Sequence, residues 1–400
     1  MPSIDTIDYS EELISKESFD NANIKKLSLS SLSLSNFRNY GHARIEVSPS
    51  PVVLTGANGA GKTNILEAIS LLSVGRGLRR AKLSELDSLP SGITPQAWAI
   101  AANVMGRQGE VKIGTGRLSD NYEDNDKRIV KIDGKIMRGQ AELSRHVSLI
   151  WLTPQMEQLF AEGASSGRKF LDRLVYSFDS QHSSRINEYD YAMRERNKLL
   201  QYGREDSNWL DTLEQKMAEC ATSIAIARLS TCEHINHTIT ISPLSFPKAH
   251  VDVFGFVEDL LKNVISAIEA ENSLKNALAN SRNHDAAAGR TSVGTHKSEL
   301  CVTHVKKNMP AEACSTGEQK ALMLSIVLAQ ARSGAIWHGV VPIILLDEVA
   351  GHLDATRRLE LFEEICQIGA QTWMTGTDAH LFYGLQEKAQ FFKVDNGKIF

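Results

Sequence analysis

Eight consecutive residues, Gly56-Ala57-Asn58-Gly59-Ala60-Gly61-Lys62-Thr63, carry the spacing G-x-x-x-x-G-K-[ST] that triphosphate chemistry requires. Glycines let successive backbone N–H groups curl around phosphate oxygens, and a helix starting at the lysine turns its positive end toward the same point. Lys62 then reaches the β- and γ-phosphates, and the Thr63 hydroxyl can ligate Mg²⁺. Far downstream, the acidic pair Asp347-Glu348 closes the apolar run Ile343-Ile344-Leu345-Leu346. Carboxylates at the end of a buried strand are costly unless a cation compensates them. Asp347 is therefore suited to hold Mg²⁺, directly or through water, and Glu348 to polarise the water that attacks the γ-phosphorus.

Both motifs need an α/β scaffold. Val52-Val53-Leu54 reads as the strand that delivers the glycine loop, and Ile65, Ile69 and Leu72, four and three apart, give the following helix one face to pack on a sheet. The run before Asp347 has the continuous apolar texture of strands buried on both faces of a parallel sheet, whose carboxyl ends are where ligands sit. Residues 27–34 alternate Leu and Ser with a phase slip at Ser30-Ser31, which predicts an edge strand beginning near Ser31. Further strands are expected over 98–104, 110–114, 128–132, 148–152 and 372–375, with a solvated loop over 120–126.

Residues 1–25 are polar and weakly periodic and read as a loose extension. Residues 26–155 then form the first part of the head, 156–285 an inserted α-helical lobe, and 286–400 the second part of the head. Within the lobe, Leu210, Leu213, Met217, Ala221, Ile224 and Ala227 lay an apolar stripe along one long helix, the pattern of ordinary core packing.

With 400 residues, 42% of them hydrophobic, the chain can bury more than one core. Its five cysteines, Cys220, Cys232, Cys301, Cys314 and Cys366, form no C-x-x-C pair, which argues against a disulfide framework or a cysteine-rich zinc site. Asp5, Asp8, Glu11 and Glu12 stand where a secretory signal would be basic, and no apolar stretch approaches the roughly 18 residues needed to span a bilayer. A cytoplasmic protein without a membrane anchor is the expectation. The net charge of −4 argues against a uniformly basic coat for nucleic acid. Two basic clusters, Arg76, Arg79, Arg80 and Lys82, and Arg194, Arg196 and Lys198, read either as local DNA contacts or as solvated helix faces.

Ser315-Thr316-Gly317-Glu318-Gln319-Lys320 precedes an apolar helix that leads toward Asp347. By itself it reads as a helix start with Ser315 at the cap and Glu318 three residues on, or as a hydroxyl, glycine amides and a helix N-terminus offered to phosphate. Its place in the chain, followed by Ala350-Gly351-His352-Leu353-Asp354, resembles the signature and D-loop of ABC-type ATPases. Within that class the chain resembles the RecF family of bacterial recombination and repair proteins over essentially everything after the extension. The matching segments are residues 34–40 (LSNFRNY), 75–79 (GRGLR), 168–172 (RKFLD) and 315–320 (STGEQK).

The resemblance implies an α/β fold: an ABC-type P-loop ATPase head with an inserted α-helical lobe. It implies that Gly56, Ala57, Asn58, Gly59, Ala60, Gly61, Lys62 and Thr63 hold ATP, that Thr63 and Asp347 bind Mg²⁺, and that Glu348 is the catalytic base. Ser315, Gly317 and Gln319 would act in trans on the ATP of a second copy, with Asp354 in the D-loop. Arg38 would sit near the phosphates and Gln155 where a Q-loop glutamine senses the γ-phosphate or metal; a plain polar loop residue is the other reading of Gln155. Partners implied are DNA, both single-stranded and duplex and at their junctions, an ATP-dependent homodimer, and RecO and RecR, which help place RecA on gapped DNA.

Two departures qualify the likeness. Met374-Thr375-Gly376-Thr377 offers threonines where transporter-like relatives carry a switch histidine, so slow, DNA-dependent hydrolysis is expected. Gly294-Thr295-His296-Lys297-Ser298-Glu299-Leu300 lacks the proline, arginine and aspartate more usual there. An ABC transporter subunit would not normally insert so much chain between Thr63 and Ser315. A long coiled-coil chromosome protein would need sustained heptads that are missing. A scaffold that holds ATP without cleaving it would carry the same motifs.

Overall fold

The computed structural model describes residues 24–88, 97–117, 127–160, 163–203, 207–242, 246–263 and 266–400. Residues 1–23 of the expected extension and the expected loop over 120–126 lie outside them.

A mostly parallel six-stranded sheet carries the motifs. Its strands are β3 (Val52–Thr55), β7 (Leu149–Leu152), β10 (Ile343–Leu346), β11 (Thr372–Gly376) and β12 (Gln390–Asp395), in the order β12-β3-β11-β10-β7, with Lys398–Ile399 antiparallel at the outer edge of β12. Alternation along each strand feeds two cores. Val52, Leu54, Ile343, Leu345 and Trp373 point into one, and Val53, Ile150, Ile344, Leu346 and Met374 into the other.

The first core is closed by α1 (Lys62–Ser70) and by an antiparallel sheet of β1 (Ser28–Phe37), β2 (Tyr40–Glu46), β4 (Ala99–Gly106), β5 (Gly109–Arg117) and β6 (Arg128–Ile132), ordered β2-β1-β4-β5-β6. Here one expectation is corrected. The Leu/Ser strand is not at an edge: β1 begins at Ser28 and pairs with both β2 and β4. The phase slip is a bulge between Leu29 and Ser31 that returns Leu29, Leu32 and Leu34 to the buried face. Each such leucine contributes roughly 1.5–3 kcal/mol, against about 1 kcal/mol for a disturbed ladder bond, so the bulge is the favourable solution. Gln371 locks it across the sheets, its amide accepting from Leu29 N–H and donating to Leu29 O, both at 2.8 Å. Two residues before β1, Lys25–Lys26 already pair with Val340–Val341.

The second core is built on α8 (Thr316–His338), in which every residue from 321 to 335 is buried. A helix buried all round must be surrounded; the parallel sheet, α9 (Ala355–Ile368) and α4 (Ser207–Ile241) surround it, α9 also pairing Glu364 with its Arg332. The 35-residue α4 also packs with α3 (His182–Gln201) and α6 (Ala267–Asn280) around a third core of Met217, Ala221, Ile224, Leu274 and Leu278, with α7 (Arg282–Ala288) set against α3 and α6. Helix α2 (Ala164–Tyr176) and the short α5 (Phe256–Lys262) join this helical region to the head.

Two features of this region differ from the sequence reading. A strand, β8 (Ala249–Phe254), interrupts the helices and pairs antiparallel with β9 (Glu299–His304). Its period-two burial of Ala249, Val251 and Val253 is too short to declare itself without a partner that lies 45–55 residues away in sequence, from Phe254↔Glu299 to Ala249↔His304. The cluster Arg194, Arg196 and Lys198 is not one patch, because Arg196 is fully buried between Glu214 and Asp285. Among the described residues no helix is long and apolar enough to cross a membrane.

Candidate functional site

The glycine loop leaves β3 and ends at Gly61, the left-handed cap of α1. No side chain caps this helix, so its first amides keep their hydrogen-bonding capacity for a ligand. Glycine is required at both ends of the loop. A Cβ on Gly56, at φ 151°, would lie 2.1 Å from Val394 O, and one on Gly61, at φ 115°, 2.5 Å from the Asn39 amide. Asn39 Nδ2 donates to Ala60 O at 3.0 Å and the Tyr40 hydroxyl to Gly61 O at 3.0 Å, so the loop is clamped from the β1–β2 turn. Lys62 Nζ donates back to Gly56 O and Ala57 O, at 2.7 and 2.8 Å. Burial lowers its pKa, with the charges of Glu348 and Asp347 acting the other way.

Strand register brings in the acidic pair. Leu346 of β10 is paired with Met374 of β11, so Asp347, one residue on, falls beside Thr375. Asp347 Oδ1 accepts from Thr63 Oγ1 at 2.9 Å and from Thr375 Oγ1 at 2.8 Å. Thr375 Oγ1 also accepts the Glu348 N–H at 2.8 Å. Burial raises the Asp347 pKa against those two hydroxyl bonds, with Glu348 adding to the rise. Among the described residues no Lys, Arg or His forms an ion pair with Asp347. A hydroxyl beside a buried carboxylate that has no cationic partner fits Mg²⁺, which takes one or two protein oxygens and completes its shell with phosphate and water. Glu348 sits in the left-handed region at φ 55°, an uncommon conformation for a non-glycine residue and one that clusters at functional positions.

The remaining candidate residues are placed as follows. Arg38, also left-handed at φ 54°, grips Glu67 of α1 through both carboxylate oxygens at 2.8 and 2.9 Å, and Arg79 joins the same carboxylate while donating to Asn64 at 2.8 Å. Gln155 is exposed in the turn after β7, the neighbour of β10. Ser315 caps α8 in a reciprocal box with Glu318, its hydroxyl 3.0 Å from Glu318 Oε2. Glu318 is held down to about 2, first by Lys307 and then by Ser315. Gln319 donates to Ala311 O at 2.9 Å. Ser315 and Gly317 are exposed, and a Cβ on Gly317 would meet open space. Asp354 caps α9 by accepting Arg357 N–H at 2.9 Å.

Sequence reasoning missed Thr375 as the residue that orders the acidic pair, although it had singled out the segment for its threonines. It also missed the Arg38–Glu67–Arg79 cluster, for which there was no signal, because the two arginines arrive on separate loops.

Strand, glycine loop, helix and an acidic pair two strands away define an ABC-type P-loop ATPase head of the RecF/RecN/SMC kind, and residues 28–399 match the RecF/RecN/SMC N terminal domain family. The chain is 46% identical over 376 residues to the DNA replication and repair protein RecF of Agrobacterium fabrum, covering 94% of this chain and 98% of that one. It is 44% identical to the RecF of Allorhizobium ampelinum over 94% and 99%. The chain belongs to the RecF family, and as such is an ATP-binding protein of DNA replication and repair. Solved structures agree on the fold. The recombination mediator protein RecF with ATP in the RecFOR pathway superposes with TM-score 0.80 at 24% identity over 94% of this chain and 99% of that one. The Smc head domain of Pyrococcus furiosus, with its extended coiled coil, reaches 0.52 at 15% over 93% and 95%.

Proposed function

We propose that this protein is an ATP-switched DNA-binding protein of recombinational repair, in which two copies close around two Mg·ATP on gapped DNA and slow hydrolysis lets them part. The single observation that carries the reading is the Thr63–Asp347 contact at 2.9 Å, which brings the phosphate loop and the acidic pair to one point with Glu348 beside it. In this mechanism the loop amides and Lys62 bind the triphosphate, and Thr63 and Asp347 would hold Mg²⁺. Bound there, Mg²⁺ would supply positive charge to offset that of the triphosphate. Thr375 fixes the direction of Asp347 and the backbone of Glu348, whose carboxylate takes the proton of the attacking water. Loss of the γ-phosphate removes contacts made across the dimer and shifts the population to the open form.

The exposed Ser315 and the open space over Gly317 support a trans role for the signature, since among the described residues nothing lies within 4 Å of where a Gly317 Cβ would stand. RecO and RecR, helping to load RecA at single-strand–duplex junctions, are the partners proposed by family membership. Arg38 and Gln155 are proposed as sensors of the bound nucleotide, Arg38 acting through its grip on α1.

Sedimentation with and without ATP, Mg²⁺ and a gapped duplex, at two salt concentrations, tests the switch: association should need all three. A chain that stays monomeric throughout would sink it. Lys62→Ala is expected to lose binding of a fluorescent ATP analogue, and with it nucleotide-driven association; a Lys62→Ala dimer that still responds to ATP would move the triphosphate elsewhere. Ser315→Arg should bind the analogue normally yet fail to dimerise, whereas loss of ATP binding in that variant would mean the segment acts in cis.

A further inference from the structure

Between the loop that follows α1 and the faces of α2 and α3, the structure opens a cleft of about 680 Å³, within the ~300–1,000 Å³ range of ligand sites. Arg76, Arg80, Arg168, Lys169, Arg173 and Arg228 line it, against the carboxylates of Asp172 and Asp190. Asp172 is already engaged: Arg228 binds its two oxygens at 2.8 and 3.0 Å, and His182 holds one of them at 3.0 Å. The cleft therefore carries a surplus of positive charge.

Arg173 is the telling member. Its guanidinium lies over the rings of Trp151 and Phe170, with centroids at 4.6 and 5.2 Å. Its Nε is buried without an acceptor, and one Nη reaches only the weak acceptor Met156 Sδ at 3.3 Å. Among the described residues no carboxylate pairs with it. Burial, and then the charge of Arg80, weigh against its charged form, yet a guanidinium stays protonated in a protein. The fold thus keeps a cation that lacks its counter-charge, a costly arrangement that a bound anion would relieve.

The loop opposite is held firmly. Leu78 N–H donates to Ser70 Oγ at 2.7 Å, Gly75 N–H to Gln140 at 3.1 Å, and Arg128 grips Gly75 O at 2.7 Å. Arg80 is set at φ 54°, a left-handed conformation maintained on a loop whose ends are fixed. Positive charge runs from the half-buried Arg173 and Arg168 out to the exposed Arg76, Arg80 and Lys169, as a ligand that continues beyond the cleft would need. Planar guanidinium groups match phosphate oxygens two at a time.

We infer that this cleft is a nucleic-acid phosphate site, taking backbone phosphates of a strand between the head and the helical region. The inference rests on the DNA-binding reading above. A strand held there sits one loop from the triphosphate site, because Arg79 of that same loop donates to Asn64 beside Thr63.

The test is fluorescence anisotropy of a labelled gapped duplex with the full chain, ATP and Mg²⁺, across 50–200 mM salt. Arg76→Gln/Arg80→Gln changes only exposed side chains, and Arg173→Gln probes the half-buried cation. The double variant should weaken DNA binding at least tenfold and lower the log–log salt slope by about two, with binding of a fluorescent ATP analogue unchanged. Arg173→Gln should weaken DNA binding in the same direction. Wild-type affinity and slope in the double variant, from a chain that still binds DNA, would overturn the cleft and leave the DNA reading standing. A wild-type chain that binds no DNA at all would overturn both. Inorganic pyrophosphate, titrated into Lys62→Ala, separates the sources of phosphate: pyrophosphate binding that the double variant abolishes, alongside unaltered DNA binding, would overturn the strand assignment.

Discussion

In a single-turnover assay, Glu348→Gln is expected to slow ATP cleavage by about 10²–10⁴-fold, the usual contribution of a positioned general base, without loss of ATP binding. The substitution is nearly isosteric, and the features that set this residue belong to the backbone: its N–H bond to Thr375 at 2.8 Å and its φ of 55°. A glutamine can keep both and still accept no proton from the attacking water. The same variant should accumulate the closed dimer when ATP, Mg²⁺ and the gapped duplex are supplied, visible as a faster sedimenting species. Wild-type turnover in Glu348→Gln would remove this carboxylate from the chemistry. A native chain that binds ATP but never cleaves it would instead make the protein a nucleotide-held scaffold.

Arg196→Leu should cost the helical region about 3–5 kcal/mol, the scale for breaking a buried ion pair from one side. Arg196 is fully buried and uses its whole guanidinium. Nε donates to Glu214, Nη1 to Asp285 and Thr291, and Nη2 to the Leu278 carbonyl and Ser281. These partners come from α4, α6, α7 and the chain just after α7, so one side chain from α3 ties the region together. Leucine would leave two buried carboxylates: Glu214 would keep Arg282 as a second partner, while Asp285 would keep only the exposed His284 imidazole at 3.6 Å among the described residues. Hydrogen exchange is the readout, because unfolding of a multi-core chain need not be two-state. Amides of α3, α6 and α7 should lose protection well before those of β3 and β10. Protection reduced by less than about tenfold would mean that water or repacking replaces the guanidinium.

These two predictions fall on opposite sides of what could be read from the residues alone. The phosphate loop, the acidic pair and the strands that carry them were legible because each is a local pattern: glycines at set offsets, four apolar residues ending in Asp347, an i/i+4 stripe on α1. So was the long α4. Arg196 was legible only as one of three basic residues near one another, since a helix sequence does not say which side of a turn meets a partner 89 residues later. Likewise, the serine and leucine run of β1 announced a strand with a slip, but a bulge inside a paired strand and a slip at a free edge leave the same trace in a sequence.

By itself, the order of residues determined that this chain holds a glycine loop of the phosphate-binding pattern, a buried strand ending in two carboxylates and a helix capped at Ser315, because each is set by spacing within a few residues. Only the tertiary structure decided that Thr375 holds Asp347 against Thr63, that Arg38 and Arg79 converge on Glu67, and that Arg173 faces a cleft without a counter-charge. Those contacts join segments far apart in the chain, and their partners are chosen by sheet register and helix packing, which no local pattern encodes.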